Sequence, residues 1–172
     1  MKKRRSSGFT LIELLTVILI ISLLAAMLIP VVLTAMRTAK KSLAINEIKN
    51  IELAFKQYIR DYSVVPTYIS GKEIIDLDVL NVLSAQNTDY NANAITYMER
   101  TKADTDGLKD PWGKHYQIGF DLNYDNIIDF NSAVPGLTED AYGTVGIWSH
   151  GRKNGREGAA DDPEDDLRNW EF

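Results

Sequence analysis

The sequence predicts an α+β fold: one long N-terminal helix whose far half packs on a small antiparallel β-sheet domain. Three observations predict it. From Leu14 to Met36 there are 23 consecutive residues without a formal charge. Apolar residues then continue at helical spacing as far as Ile59. Beyond Pro66, short β-branched and aromatic runs separated by turn residues read as strands. At 172 residues the chain has room for an anchor and one domain.

The helix comes first. About 20 apolar residues at 1.5 Å rise cross a hydrocarbon core of roughly 30 Å, so the uncharged run is long enough to span a bilayer. Met1–Gly8 carries Lys2, Lys3, Arg4 and Arg5 and no acid. Those cations hold the N-terminus in the cytoplasm and place the remainder outside. A secretory signal peptide would have a shorter apolar region followed by a small-x-small cleavage site. Here the run passes directly into Ala44, Ile45, Ile48, Ile51, Leu53, Ala54, Phe55, Tyr58 and Ile59, interleaved with Lys40, Lys41, Glu47, Lys49, Glu52, Lys56 and Arg60. That spacing is amphipathic. One helix is expected from Phe9 to about Asp61, with a spanning part over 9–36 and an amphipathic part over 37–62. Pro30 removes a backbone donor and is expected to kink or locally melt it. The helix should end near Val65-Pro66, because a residue before proline prefers an extended form.

The domain over 63–172 is expected to begin with a short helix between Gly71 and Ala85, where Ile74, Ile75, Leu77, Val79, Leu80, Val82 and Leu83 recur. Asn87–Ala94 is rich in asparagine and reads as loop. Strands are expected at His115–Phe120, Ile127–Phe130 and Thr144–Ser149. Asp110-Pro111-Trp112-Gly113-Lys114-His115-Tyr116 reads as a turn with an aromatic anchor feeding the first of them.

Charge and composition narrow the function. The chain carries 19 Lys and Arg against 24 Asp and Glu, a net of −5. Without the four leader cations, 19 − 4 = 15 bases face 24 acids, or −9. Such a surface repels nucleic acid, so no nucleic-acid partner is expected. With no cysteine, disulfides, thiol nucleophiles and zinc–thiolate sites are excluded. His115 and His150 are the only histidines and belong to no visible catalytic arrangement, and Gly151–Gly158 lacks phosphate-loop spacing. An enzyme is not expected.

A bound cation is. Calcium takes six to eight oxygen ligands from a flexible loop. Asp161, Asp162, Glu164, Asp165 and Asp166 crowd into the tail, where their charges repel unless a cation neutralises them. A second place is Asp121, Asn123, Asp125 and Asp129, at positions 1, 3, 5 and 9 of an EF-hand-like start. There Asn126 replaces the glycine of position 6, and Ser132 replaces the glutamate of position 12. A strand-connecting turn rich in Asp and Asn explains that stretch as well.

Gly8-Phe9-Thr10-Leu11-Ile12-Glu13, between the basic leader and the apolar run, resembles the signal of type IV prepilins and type II secretion pseudopilins. The resemblance implies cleavage between Gly8 and Phe9 by a prepilin peptidase and N-methylation of Phe9. Glu13 speaks independently: a carboxylate at the edge of an apolar helix costs several kcal/mol unless paired. The new Phe9 amine, one turn away, is a partner within one chain or between neighbours, and the resemblance favours neighbours. Asp110-Pro111-Trp112-Gly113 with Tyr116 resembles a signature of the major pseudopilins of type II secretion, as do Trp148-Ser149-His150-Gly151 and the tail ending in Asn169-Trp170.

The family implied is pilin-like in fold. Membership implies a single-pass inner-membrane subunit with a periplasmic domain. It also implies a helical homo-oligomeric filament assembled with minor pseudopilins on an inner-membrane platform, for export of folded proteins across the outer membrane. Calcium is implied in the tail, with Asn154, Asp161, Asp162, Asp165 and Asp166 as its ligands. The chain departs there from the family's usual turn, reading Ser149-His150-Gly151-Arg152-Lys153-Asn154-Gly155. A surface type IV pilin, for adhesion, motility or DNA uptake, is the alternative. Surface pilins often close a C-terminal loop with cysteines, which this chain lacks.

Overall fold

The computed structural model describes residues 9–65, 68–101, 105–130, 140–152 and 166–171. In chain order it contains α1 (Leu11–Tyr62), α2 (Leu77–Leu83), β1 (Gln117–Phe120), β2 (Val145–Ser149), β3 (Leu167–Arg168) and a 3-10 turn at Asn169–Glu171. The chain divides into two compact units, Met1–Ala39 and Lys40–Phe172.

In the first unit, every large apolar side chain of α1 from Leu11 to Met36 is exposed. The polar side chains there are turned back on the helix. Thr16 Oγ1 donates to Glu13 O (3.0 Å), Ser22 Oγ to Ile18 O (2.7 Å) and Thr34 Oγ1 to Pro30 O (3.0 Å). Such back-bonding leaves no hydroxyl for an apolar solvent to accommodate. Residues on both sides of Pro30 remain helical, so the local melting expected at that position is not found.

In the second unit, α1 buries Ala44, Ile48, Ile51, Phe55 and Tyr58, alternating steps of four and three that keep one face inward. That face packs in one cluster with Val79, Val82 and Leu83 of α2, with Tyr116, Ile118 and Phe120, and with Val145, Ile147 and Leu167. Phe55 meets Phe120 edge-on at 5.3 Å. The helix ends where Ser63 takes a left-handed φ of 56°, a common stop signal. Asp76 caps α2 by accepting from Val79 N at 3.0 Å.

The sheet is antiparallel in the order β1-β2-β3, with Gln117 opposite Trp148 and Phe120 opposite Val145. Alternation sends Ile118, Phe120, Val145 and Ile147 toward α1 and leaves Gly119, Gly146 and Trp148 on the reverse face. Gly119 and Gly146 are partners across the ladder. A Cβ on Gly119 would lie 2.4 Å from the Phe130 ring, and one on Gly146 would lie 3.0 Å from both Phe130 and Trp170. The two glycines thus form a floor for Phe130 and Trp170, which close over Trp148.

Two strand expectations need correction. Residues 127–130 do not form a strand; they make only isolated bridges, Ile127 to Tyr142 and Asp129 to Phe120. The cause is local: side chains of Asp121, Asn123 and Asp125 capture backbone N–H groups of residues 125–127, and Tyr124 and Asn126 adopt left-handed φ. The first strand also begins later than expected, because His115 pairs back with Lys109 across the Asp110 turn. The third strand is instead Leu167–Arg168, which sequence patterning did not anticipate.

Candidate functional site

The head of α1 is a capping box. Thr10, just before the helix, accepts from Glu13 N through Oγ1 (3.3 Å), while Glu13 Oε2 accepts from Thr10 N (2.8 Å) and from Thr10 Oγ1 (2.6 Å). The pattern is Thr-x-x-Glu with both partners reciprocating. It satisfies a helix-end donor and places a carboxylate at the positive end of the helix dipole. Phe9, one residue upstream, is largely exposed. Gly8, the other half of the expected cleavage site, lies outside the described residues. Glu13 Oε1 has no hydrogen bond among the described residues, so half of this carboxylate is uncommitted. Behind it the helix is long and apolar enough to cross a membrane.

The Asp110 turn is a second constructed feature. Its carboxylate is buried, with Oδ1 accepting from Trp112 N and Lys114 N (both 2.9 Å) and Oδ2 from Ser149 Oγ (2.6 Å). Ser149 Oγ in turn accepts from Gly151 N (3.1 Å). One carboxylate therefore fixes the turn, ties it to the end of β2 and orients the departing chain. Lys40 of α1 reaches the same turn, donating to Pro111 O (2.9 Å). Tyr116 donates to Glu47, and burial first, then that bond, pushes its phenol above the ordinary range.

The cation candidates fare differently. Asn154, Asp161, Asp162 and Asp165 lie outside the described residues. Asp166, just before β3, is buried, its Oδ2 3.2 Å from Arg168 Nη2. In the other stretch, Asp121 accepts from Asp125 N (3.2 Å) and Asn126 N (2.9 Å), Asp125 from Ile127 N (2.8 Å) and Asp129 from Leu122 N (3.0 Å). Asn123 links to Asp125 through its amide at 3.0 Å. These oxygens serve the turn itself. Among the described residues no group of three or more His, Cys, Asp or Glu is placed to hold a metal.

Residues 3–29 match the prokaryotic N-terminal methylation motif. The chain is 28% identical over 171 residues to the type II secretion system core protein G of Pseudomonas aeruginosa, covering 99% of each. It is 32% identical over 116 residues to the core protein G of Vibrio cholerae, covering 67% of this chain and 72% of that one. The Escherichia coli K12 core protein G is also 32% identical, over 66% of this chain and 72% of its own. The chain belongs to the type II secretion system core protein G family. No solved structure matches it.

In this core protein G family member, three functional or organising residues escaped sequence reading. Thr10 lies inside the Gly8–Glu13 motif, and its Thr-x-x-Glu spacing with Glu13 is the sequence signal of the capping box. Asn169 supplies a side-chain amide that pairs with β2 like a peptide group, accepting from Ile147 N (2.7 Å) and donating to Val145 O (2.9 Å). Asn91, fully buried, bonds Val82 O, Ile95 O, Ile95 N and the Tyr62 hydroxyl, and so fastens the asparagine-rich loop to the end of α1. Nothing in the composition of that loop singles out Asn91 from its neighbours.

Proposed function

We propose that this chain is the major structural subunit of a type II secretion pseudopilus. It would polymerise through its N-terminal helix to drive folded proteins across the outer membrane. The observation that carries the reading is Glu13: a half-committed carboxylate at the head of an apolar helix with no partner surface of its own. After a prepilin peptidase cuts between Gly8 and Phe9, the chain begins with a cationic amine beside that carboxylate. N-methylation of Phe9 keeps the amine protonated. Glu13 Oε1 then pairs with the Phe9 amine of a neighbour, fixing axial register as each subunit leaves the lipid. Apolar helices exchange bilayer for one another, which removes the cost of an exposed span without requiring a new source of hydrophobic energy.

In this reading the anchor crosses the inner membrane once, leader inside and residues 40–172 in the periplasm. The partners are further copies of the chain, minor pseudopilins and an inner-membrane assembly platform. Full-length similarity to proteins named for secretion supports this over a surface pilus. Glu13→Ala should leave membrane insertion intact and abolish filaments sheared from cells carrying the secretion apparatus. A normal filament yield from that variant would end the proposal.

The same reading includes a structural calcium in the tail, held by Asn154, Asp161, Asp162, Asp165 and Asp166, where it would neutralise charge that otherwise splays the segment. Support comes from carboxylate density next to a buried, fixed Asp166. A fragment beginning at Lys40 should melt several degrees lower in chelator than in calcium. Identical melting curves would remove the ion from the account.

A further inference from the structure

The excursion between β1 and β2 presents a surface that folding does not explain. Tyr124 and Tyr142 are 66% and 63% exposed, and Leu122 is exposed beside them in sequence. They are held, not loose. Gly143 N donates to Asn126 O (3.0 Å), Ile128 N to Ala141 O (2.9 Å), and Ile127 bridges Tyr142, so the two tyrosine-bearing segments run side by side. Tyr124 sits at φ 62°, a conformation that a bulky side chain rarely adopts. Glycine would fit that backbone more easily, and tyrosine there adds only an exposed ring.

Along the sequence of this excursion the formal charges have one sign. Asp125, Asp129 and Asp140 are exposed. No lysine or arginine occurs between Lys114 and Arg152, while Asp121, Asp125, Asp129, Glu139 and Asp140 do. Aromatic faces rimmed by carboxylates suit a cationic side chain, by ion pairing and by cation–π contact. In a polymer with a head-to-tail interface, the complement must lie elsewhere on the same chain. Lys41 of α1 is exposed and has no ion-pair partner among the described residues. Phe120, the residue before the excursion, packs on Phe55, 14 residues beyond Lys41. The contact therefore requires a parallel neighbour displaced by about 21 Å along the helix, the distance that brings its Lys41 to the level where the excursion begins.

We propose that Leu122, Tyr124 and Tyr142, rimmed by Asp125, Asp129 and Asp140, form a docking surface for a second copy of this chain and receive its Lys41. The inference rests on the filament reading above and adds a contact between exported domains that is independent of Glu13.

The chain has no cysteine, so engineered pairs report cleanly. The full chain carrying Tyr124→Cys and Lys41→Cys, expressed with the secretion apparatus and oxidised, should give a disulfide-linked ladder in sheared filaments, whereas filaments of each single variant give no such ladder. Filaments of normal yield without a ladder overturn the docking surface while leaving the filament reading standing. A tyrosine-side cysteine that captures an exported protein instead also overturns it. Wild-type chain that forms no filament overturns both. As a second measure, Lys41→Glu should lower filament yield roughly fivefold, and adding Asp140→Lys should restore it. Failure of that restoration, with unchanged melting of the exported unit, counts against the pairing.

Discussion

The two halves of α1 share one backbone and differ in what surrounds them. From Leu11 to Met36 every large apolar side chain is exposed, whereas Ala44, Ile48, Ile51, Phe55 and Tyr58 are buried against the chain's own sheet and second helix. The second half is therefore stabilised by tertiary packing within one molecule. Among the described residues the first half shows no such burial, and it is long and apolar enough to cross a membrane. A single helix thus joins a unit that buries its own apolar face to one whose large apolar side chains are exposed, with its hydroxyls bonded back to the helix backbone.

Substitutions can break that contrast from either side. Glu13→Ala, the largest expected effect, should remove filaments altogether and leave the melting temperature of a fragment beginning at Lys40 unchanged. If melting also fell, the two halves would not be independent. Phe55→Ala reverses the pattern: it empties a fully buried site against Phe120 and should destabilise the unit beginning at Lys40 by about 3–5 kcal/mol, read from denaturant unfolding. Membrane insertion should be untouched. Asn91→Ala leaves two backbone carbonyls, an N–H and a tyrosine hydroxyl without their shared partner. It should cost about 1–3 kcal/mol in the same measurement. The smallest effect is Thr10→Ala, which removes the cap of the first turn and about 1 kcal/mol with it. Amide exchange of residues 11–14 in detergent micelles should speed up roughly fivefold, with no change beyond residue 40.

Much of this was legible in the residues because it is periodic or local. The uncharged run, the 3.5-spaced face of α1, the apolar run of α2 and the Asp110 turn each announce themselves within a few positions. The strand expected at 127–130 failed for an equally local reason that hydrophobic patterning does not weigh. Asp125 takes the N–H of Ile127, and Asp121 and Asn123 take those of Asp125 and Asn126 just before it, so a local turn replaces the start of the ladder. Leu167–Arg168 escaped notice because two residues carry no period; they become a strand only because the end of β2 offers them an edge.

By itself the sequence determined the membrane-length apolar run, the N-terminal methylation motif, the net charge of the remaining chain and the helix face that must be buried, since each depends on residue type and spacing alone. Tertiary structure decided what depends on meeting across the chain. It placed Phe130 and Trp170 on a glycine floor made by two strands, and tied Asp110 to Ser149 over 39 positions. It also made Asn169 act as a piece of backbone for β2. Such contacts leave little trace in a linear pattern, because a glycine, an aspartate or an asparagine looks the same in a loop as it does beneath an aromatic ring.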